Sequence, residues 1–412
     1  MAYKCRAYPD LNQAATFNRT FGCVRLVWNR TLAERNARWL NAGESTSYRA
    51  TDAALTRWKK TEELAFLSEV SSVPLQQSLR HQHAAFANFF AGRARYPRFK
   101  SRTGRQSAHY TRAAFRMRDG QLWLAKTSAP LTFVWTWDDI GPGRLDPTMV
   151  VLSRESDGRW YVTFAVDTHA PAPLPPTGRA IGVDLGLTDF ATTGDGQRIA
   201  NPRHLERKAR NLARYQRRMA RCVKGSANRL KAKTKLARAY RKVRNARLDF
   251  IHRASARLVR SADTIVIEDL AVANMVRNRR LSKAISDVGW GEFRRQLEYK
   301  CQWYGRTLIV IDRWYPSTKT CSSCGYLLAQ LPLSSRAWTC PGCRTRHDRD
   351  INAARNILAA GLAVSACGGD VRHSGSARVL SPVKQEVVPT ARSRAAQPRG
   401  RAASEPAAQP RG

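Results

Sequence analysis

The sequence predicts an α/β protein of several domains: a small helical domain, a small β-barrel or sheet, and an α/β region with paired cysteines toward its end. Three observations predict it. Apolar residues recur at three- and four-residue spacings through the first ninety or so positions, Asp-Gly pairs then punctuate β-rich runs, and strand and helix patterns alternate beyond a proline-rich break.

The chain of 412 residues is 43% hydrophobic, enough to bury several cores, so it is not a basic tail but a folded protein. Its 71 Lys and Arg against 31 Asp and Glu give a formal net charge of +40. Such a field attracts polyanions and releases their counterions on binding, which makes nucleic acid the default partner. No run of about 18 apolar residues and no signal-peptide core is present, so no membrane is expected as a partner and the expected location is the cytoplasm.

Residues 11–92 read as helical, because LNQAATFNRTFGCVRLVWNRTLAERNARW and PLQQSLRHQHAAFANFFAG hold apolar groups at helical spacing with no proline inside the pattern. In RARYPRFKSRTGRQ, Arg95, Arg98 and Lys100 interleave with Tyr96 and Phe99. That segment is read either as a solvated linker or as a nucleic-acid contact in which cations meet phosphates and rings stack. From about 110 to 169, FRMRDGQLWLAKT and VVLSRESDGRWYVTFAVDTH each carry Asp-Gly between β-rich runs, a hairpin signal. APAPLPPTG, ending at Gly178, can continue neither helix nor central strand and marks a boundary.

RAIGVDLGLTDFATTGDGQRIA then reads as three short strands, the last two joined at Asp195-Gly196. Residues 202–260 read as a pair of basic helices broken near Lys224-Gly225-Ser226, with only Glu206 and Asp249 opposing the cations. A density of that kind, including Arg217, Arg218, Lys231 and Lys235, suits phosphate tracking. DTIVIEDL is a buried-type strand, GEFRRQLEYKCQWYG an amphipathic helix and RTLIVID another strand. The tail from about 368 is rich in Ser, Pro, Ala, Gly and Arg, repeats AAQPRG, and is expected to be disordered.

Nine cysteines include two C-x-x-C pairs, Cys321/Cys324 and Cys340/Cys343, fifteen residues apart. This spacing matches a four-cysteine zinc ribbon, and four thiolates leave zinc no open position, so one structural ion is expected. His347 is superfluous to such a set. Cys5, Cys23, Cys222, Cys301 and Cys367 read as small apolar side chains or unpaired thiols. If zinc is closed, a catalytic metal needs other ligands. Asp184 and Glu268 stand at strand ends and Asp350 opens the helix DINAARNIL, an arrangement able to bring three carboxylates onto hard cations such as Mg²⁺. Two such ions would activate water and stabilise the leaving oxygen of a phosphodiester. Each acid also has a structural reading: an N-cap for Asp350, a strand-end cap beside glycines for Asp184, an arginine pair for Glu268. Asp269 should point to the opposite face of its strand, and Asp348 precedes the helix.

GVDLGL, IEDL, the ribbon and HDRDINAARNIL, with NRRLSKAISDVGWGEFRRQLEYK between them, resemble the TnpB (OrfB) family of insertion-sequence proteins over residues 1 to about 365. The resemblance implies an RNase H-like (RuvC) nuclease domain with an inserted zinc ribbon, preceded by a β-barrel wedge domain containing a helical recognition domain. It implies a first wedge strand at 1–10, recognition domain at 11–92, wedge at 93–169, linker at 170–178, nuclease domain at 179–314, ribbon at 315–345, the rest of the nuclease domain at 346–366 and a tail at 367–412. It also implies RNA-guided cleavage of double-stranded DNA beside a short flanking motif, a guide RNA from the transposon end, a separate transposase or recombinase of the same element, and a prokaryotic, nucleoid-associated setting. By motif match, Asp184, Glu268 and Asp350 take the places of the three RuvC acids. Base pairing would then carry most of the sequence choice. Gln76 and Gln77 are read either as motif contacts to adenine or as a solvated helix face. Rival functions are a nuclease-silent guided DNA-binding regulator and a transposase acting directly in strand transfer.

Overall fold

The computed structural model describes residues 1–137, 141–167, 171–332 and 334–366. The expected disordered tail at 367–412, Cys367 included, lies outside the described residues.

The N-terminal half is an antiparallel sheet with helices inserted into it. Strand β1 (Ala2–Tyr8) is followed by α1 (Leu11–Ala42), α2 (Tyr48–Trp58) and α3 (Ser72–Phe90) before β2 (Gln106–Thr111), β3 (Phe115–Arg118), β4 (Gln121–Leu124), β5 (Thr132–Val134), β6 (Pro147–Arg154) and β7 (Trp160–Val166). Helix α1 starts at a capping box, with Asp10 accepting from the Gln13 N–H and the Gln13 side chain accepting from the Asp10 N–H, and it ends at left-handed Gly43. Phe17 and Phe21 on α1 enter the core of the sheet beside Trp160, the Phe21 ring stacked on it at 5.5 Å. In the β3–β4 hairpin Asp119 and Gly120 both take positive φ, 51° and 75°, as a two-residue turn matched to strand twist requires. The strand order is β2-β6-β7-β1-β5. Of the two forms expected, barrel or sheet, the described strands pair as an open sheet, because three-residue β5 and β2 remain its edges; the β3–β4 hairpin joins through the Leu131 N–H to the Leu122 carbonyl at 2.7 Å.

The C-terminal half is a mixed sheet between helices. Its elements are β8 (Ala180–Asp184), β9 (Asp189–Thr193), β10 (Arg198–Ala200), α4 (His204–Ala220), α5 (Ala227–Ser261), β11 (Thr264–Glu268), α6 (Val272–Met275), α7 (Ser282–Val288), α8 (Trp290–Tyr304), β12 (Thr307–Ile311), β13 (Ala337–Thr339), β14 (Arg346–Asp348) and α9 (Arg349–Ala366). The main sheet runs β10-β9-β8-β11-β12, with β8, β11 and β12 parallel and β9 and β10 antiparallel. Ile251, Leu258, Phe293 and Leu297 of α5 and α8 cover one face, whereas Ile357 of α9 meets Val266, Ile309 and Ile311 on the other. β13 and β14 pair only with each other, between β12 and α9.

The proline-rich connector is pinned and not free. The Thr177 and Gly178 N–H groups donate to the Asp263 carboxylate, and buried Arg306 reaches both Asp263 and the Pro175 carbonyl. A second tie joins the halves: Asp157, in the β6–β7 turn, pairs with Arg241 of α5, and Glu155 pairs with Lys4 at 3.2 Å and Arg244 at 3.5 Å.

α9 approaches the sheet backbone more closely than side chains allow. A Cβ on Gly182 of β8 would lie 2.0 Å from the Ala354 carbonyl oxygen, and one on Gly361 of α9 would lie 2.4 Å from Cγ1 of Val266 on β11. Glycine at these two positions lets the last helix rest on the two strands that end in acids. Gly182→Ala must therefore push α9 off the sheet; chemical denaturation should show a loss of about 3 kcal/mol, at the upper end of overpacking costs.

Candidate active site and metal centre

The parallel pairing of β8 with β11 sets Ile267 beside Val183, so the next residues, Glu268 and Asp184, stand level at the same sheet edge. Asp350 joins them from the first turn of α9. The N-cap reading of Asp350 passes to Asp348, whose Oδ1 accepts the N–H groups of Asp350 (3.1 Å) and Ile351 (3.0 Å), while its Oδ2 holds Arg198 at 2.7 Å. This leaves the Asp350 carboxylate for other partners, of which Arg336 is one at 3.6 Å. Asp269, on the opposite face as strand alternation requires, is buried between Arg294 and Arg313.

Asp184 feels the other two carboxyls. Asp184 is pushed up to about 7, first by burial and then by the charges of Glu268 and Asp350, with Arg349 and Arg336 pulling the other way. Burial also raises Glu268, against which the Ser317 hydroxyl donates a hydrogen bond to Oε1. A half-buried cluster of three acids is costly in a dry setting and is relieved by cations. The donors are all hard oxygens, which fits Mg²⁺ and not zinc. Among the described residues only the four cysteines bring three or more ligand atoms all within 4.8 Å of one another.

The cysteines meet the zinc test directly. Cys321 and Cys343 sulfurs are 3.6 Å apart, as are those of Cys324 and Cys340; a tetrahedron with zinc–sulfur bonds of about 2.3 Å has edges near ~3.8 Å. Cys321 and Cys340 are buried, and Cys324 and Cys343 are exposed. His347 is not a fifth ligand: its Nε2 lies 3.0 Å from Cys321 Sγ, where an N–H would steady the thiolate, and its ring packs 4.8 Å from Trp338.

The basic candidates fall into two places. Arg217 and Arg218 on α4, and Lys231 and Lys235 on α5, are exposed and form no ion pair among the described residues. Arg214, Arg217, Arg218, Arg221 and Cys222 line a cleft of about 530 Å³. The segment with Arg95, Arg98 and Lys100 is strapped along α1: Trp28 Nε1 donates to the Arg98 carbonyl at 2.9 Å, and Asn29 exchanges hydrogen bonds with the Lys100 backbone. Arg95, Arg98 and Lys100 are all exposed by surface area, and the Lys100 ammonium also sits 3.9 Å over the Trp28 ring, where partial desolvation lowers it to about 8. Gln76 is half-buried and Gln77 is buried on α3.

Sequence reading missed Ser317, Arg336 and the caging of Asp269 by two arginines. Hydroxyl and guanidinium groups carry no spacing rule of their own, and Ser317, Arg313 and Arg294 lie 49, 44 and 25 residues from the acids they serve.

Without divalent ions, the folded protein keeps the Asp184 proton that the unfolded chain gives up near pH 4, so this group lowers folding stability as pH rises from about 4 to about 7. Asp184→Asn should then exceed the parent in stability by roughly 2–4 kcal/mol at pH 8, with the gap closing toward pH 4 and narrowing when Mg²⁺ is added; denaturation across pH measures it. Elemental analysis should find one zinc per chain, and Cys340→Ser should lose it.

The family model described as "Probable transposase" (OrfB_IS605) matches residues 163–279, that described as "Cas12f1-like, TNB domain" matches 290–357, and a "Helix-turn-helix domain" model matches 1–44. A Streptomyces pristinaespiralis protein named "Putative RNA-guided DNA endonuclease" is 54% identical over 389 residues, 93% of this chain and 96% of that one. The Escherichia coli K12 protein named "Putative RNA-guided DNA endonuclease InsQ" is 33% identical over 403 residues, with the same shares covered. The fold is similar to the protein of a Cas12f1-sgRNA-target DNA complex solved by cryo-EM, with a TM-score of 0.53 at 16% identity over 84% of this chain and 83% of that one. Near-complete coverage at this identity means that the chain belongs to the TnpB (OrfB) family.

Proposed function

We propose that the protein is an RNA-guided DNA endonuclease of an insertion sequence, hydrolysing phosphodiesters of double-stranded DNA beside a short flanking motif. The observation that carries this reading is the convergence of Asp184, Glu268 and Asp350 at one sheet edge, with Asp184 driven to about 7 by burial and its acidic neighbours. An acidic cluster in a chain of net charge +40 suits metal ions that bind a phosphate. The strand order β10-β9-β8-β11-β12, three antiparallel strands followed by two parallel ones, supports an RNase H-like (RuvC) reading, and the cysteine-bearing hairpin between β12 and α9 supports an inserted ribbon. The names of the relatives support guidance by RNA and cleavage of DNA.

In this mechanism Asp184, Glu268 and Asp350 would hold two Mg²⁺, and Cys321, Cys324, Cys340 and Cys343 would hold one structural zinc. The bound Mg²⁺ supply activation of water and stabilisation of the leaving oxygen. The protein's own part is orientation: β8 and β11 set two carboxylates level, Asp348 caps α9 so that Asp350 is free to face them, and Asp269 is neutralised on the far side by Arg294 and Arg313. Arg217, Arg218, Lys231 and Lys235 offer unpaired cations to phosphates of guide RNA or DNA, joined by Arg95, Arg98 and Lys100 on the strap and Gln76 on α3. The guide derives from the transposon end, and a separate transposase of the element joins the strands.

Expressed with its flanking DNA, the protein should co-purify with one defined RNA that ends in variable sequence. Asp184→Ala should retain that RNA and lose target cutting by at least about 10³-fold, the scale of removing a group on which the chemical step depends. Full cutting by this variant would exclude the acid cluster as the active site.

A further inference from the structure

Residues 317–322 connect the acid cluster to the zinc knuckle through an unbroken run of hydrogen bonds. At one end buried Ser317 donates its hydroxyl to Glu268 Oε1. The loop then closes on itself, with the N–H groups of Lys319 and Thr320 and the Thr320 hydroxyl all donating to the Pro316 carbonyl at 3.0–3.1 Å. At the other end the Cys321 N–H donates to the Tyr326 carbonyl at 2.8 Å and the Gly325 N–H to the Cys321 carbonyl at 2.9 Å, which forms the first cysteine turn.

Two asparagines of α9 clamp the middle. Asn356 Nδ2 donates to the carbonyls of Ser317 (2.7 Å) and Thr320 (2.6 Å). Asn352 Nδ2 donates to the same Thr320 carbonyl at 2.7 Å, and its Oδ1 accepts the Ser322 N–H at 2.9 Å. They stand one helical turn apart and are 1% and 4% exposed, Asn352 and Asn356 respectively. Asparagine is a poor choice for a helix interior, and a buried amide without partners is costlier still. Their placement is explained by the loop that they hold. The same helix carries Asp350 two residues before Asn352, so one rigid element aims one acid directly and a second acid through the loop.

We propose that Ser317 is a positioning residue for Glu268, and that Asn352 and Asn356 tie it to the zinc ribbon, so that divalent-ion binding at the acids depends on a folded ribbon. The inference rests on the three-acid reading of the site. A glutamate at a strand end has several rotamers, and a hydroxyl on one oxygen selects one of them and leaves the other oxygen for an ion. Bound zinc fixes Cys321, Cys321 fixes the loop, and the loop holds the Ser317 hydroxyl where Glu268 needs it.

The test is a Mn²⁺ titration followed by electron paramagnetic resonance on the purified RNA-bound protein, with zinc content and melting temperature measured on each variant. Ser317→Ala should keep zinc and melt as the parent does, yet bind Mn²⁺ about 10-fold to 100-fold more weakly, the range found when a group behind a metal ligand is removed. Ser317→Thr, which keeps the hydroxyl, should recover most of the affinity. Asn356→Ala should weaken Mn²⁺ binding with zinc retained, and Cys324→Ser, at an exposed ligand, should lose both zinc and Mn²⁺ affinity while the RNA stays bound. Parent-like Mn²⁺ affinity in Ser317→Ala, with Glu268→Gln deficient, overturns the role of Ser317. Parent-like affinity in a zinc-free Cys324→Ser protein overturns the tie to the ribbon. If Glu268→Gln itself binds Mn²⁺ and cuts DNA as the parent does, the three-acid reading fails instead, and the two failures are thereby distinguished.

Discussion

The contact on which the candidate site most depends is the seat of α9 on the sheet: its backbone lies directly against the backbone of β8 at Gly182, and Gly361 of α9 lies directly on the Val266 side chain of β11. Most helices rest on sheets through a layer of side chains, and small shifts are absorbed there. Here the helix has little room to slide. The acid at its first turn is thereby held against two acids that emerge from the strands beneath it. Asp348 adds the second condition, because an N-cap supplied one residue before the helix leaves the Asp350 carboxylate outside the capping bonds.

Charge is distributed with the same economy. A chain of net charge +40 tends to neutralise any acid that lies near an arginine, and many are: Asp157 by Arg241, Asp269 by Arg294 and Arg313, Asp263 by Arg306. These pairs tie loops and halves of the molecule together, with the acids held below the usual carboxylate range by donors at hydrogen-bond distance. Asp184 runs in the opposite direction, because burial and like charges outweigh Arg349 and Arg336.

The two halves meet through the turn between β6 and β7. Glu155 and Asp157 are almost wholly covered where they meet the arginines of α5, and truncating one partner of such a pair leaves a stranded charge. The basic helix is thus divided along its length. Arg241 and Arg244 hold the N-terminal half of the chain, while Lys231 and Lys235 remain exposed.

Much of this was legible in the order of residues. The Cys-x-x-Cys pairs are read from spacing because zinc imposes a local geometry on each knuckle, and the alternation that set Asp269 against Glu268 follows from the pleat of any strand. Hairpins at Asp119-Gly120 and Asp195-Gly196 were equally plain, since only a few residues accept positive φ. What the tertiary structure alone decided is which groups meet across long separations. Ser317 finds Glu268 across 49 residues, Asp157 finds Arg241 across 84, Arg306 reaches the Pro175 carbonyl across 131, and the Lys100 ammonium settles on Trp28 of a distant helix. A motif read from sequence reports constraints that act through the chain over a few bonds; contacts through space depend on how the sheets and helices pack, and only the folded molecule brings those partners together.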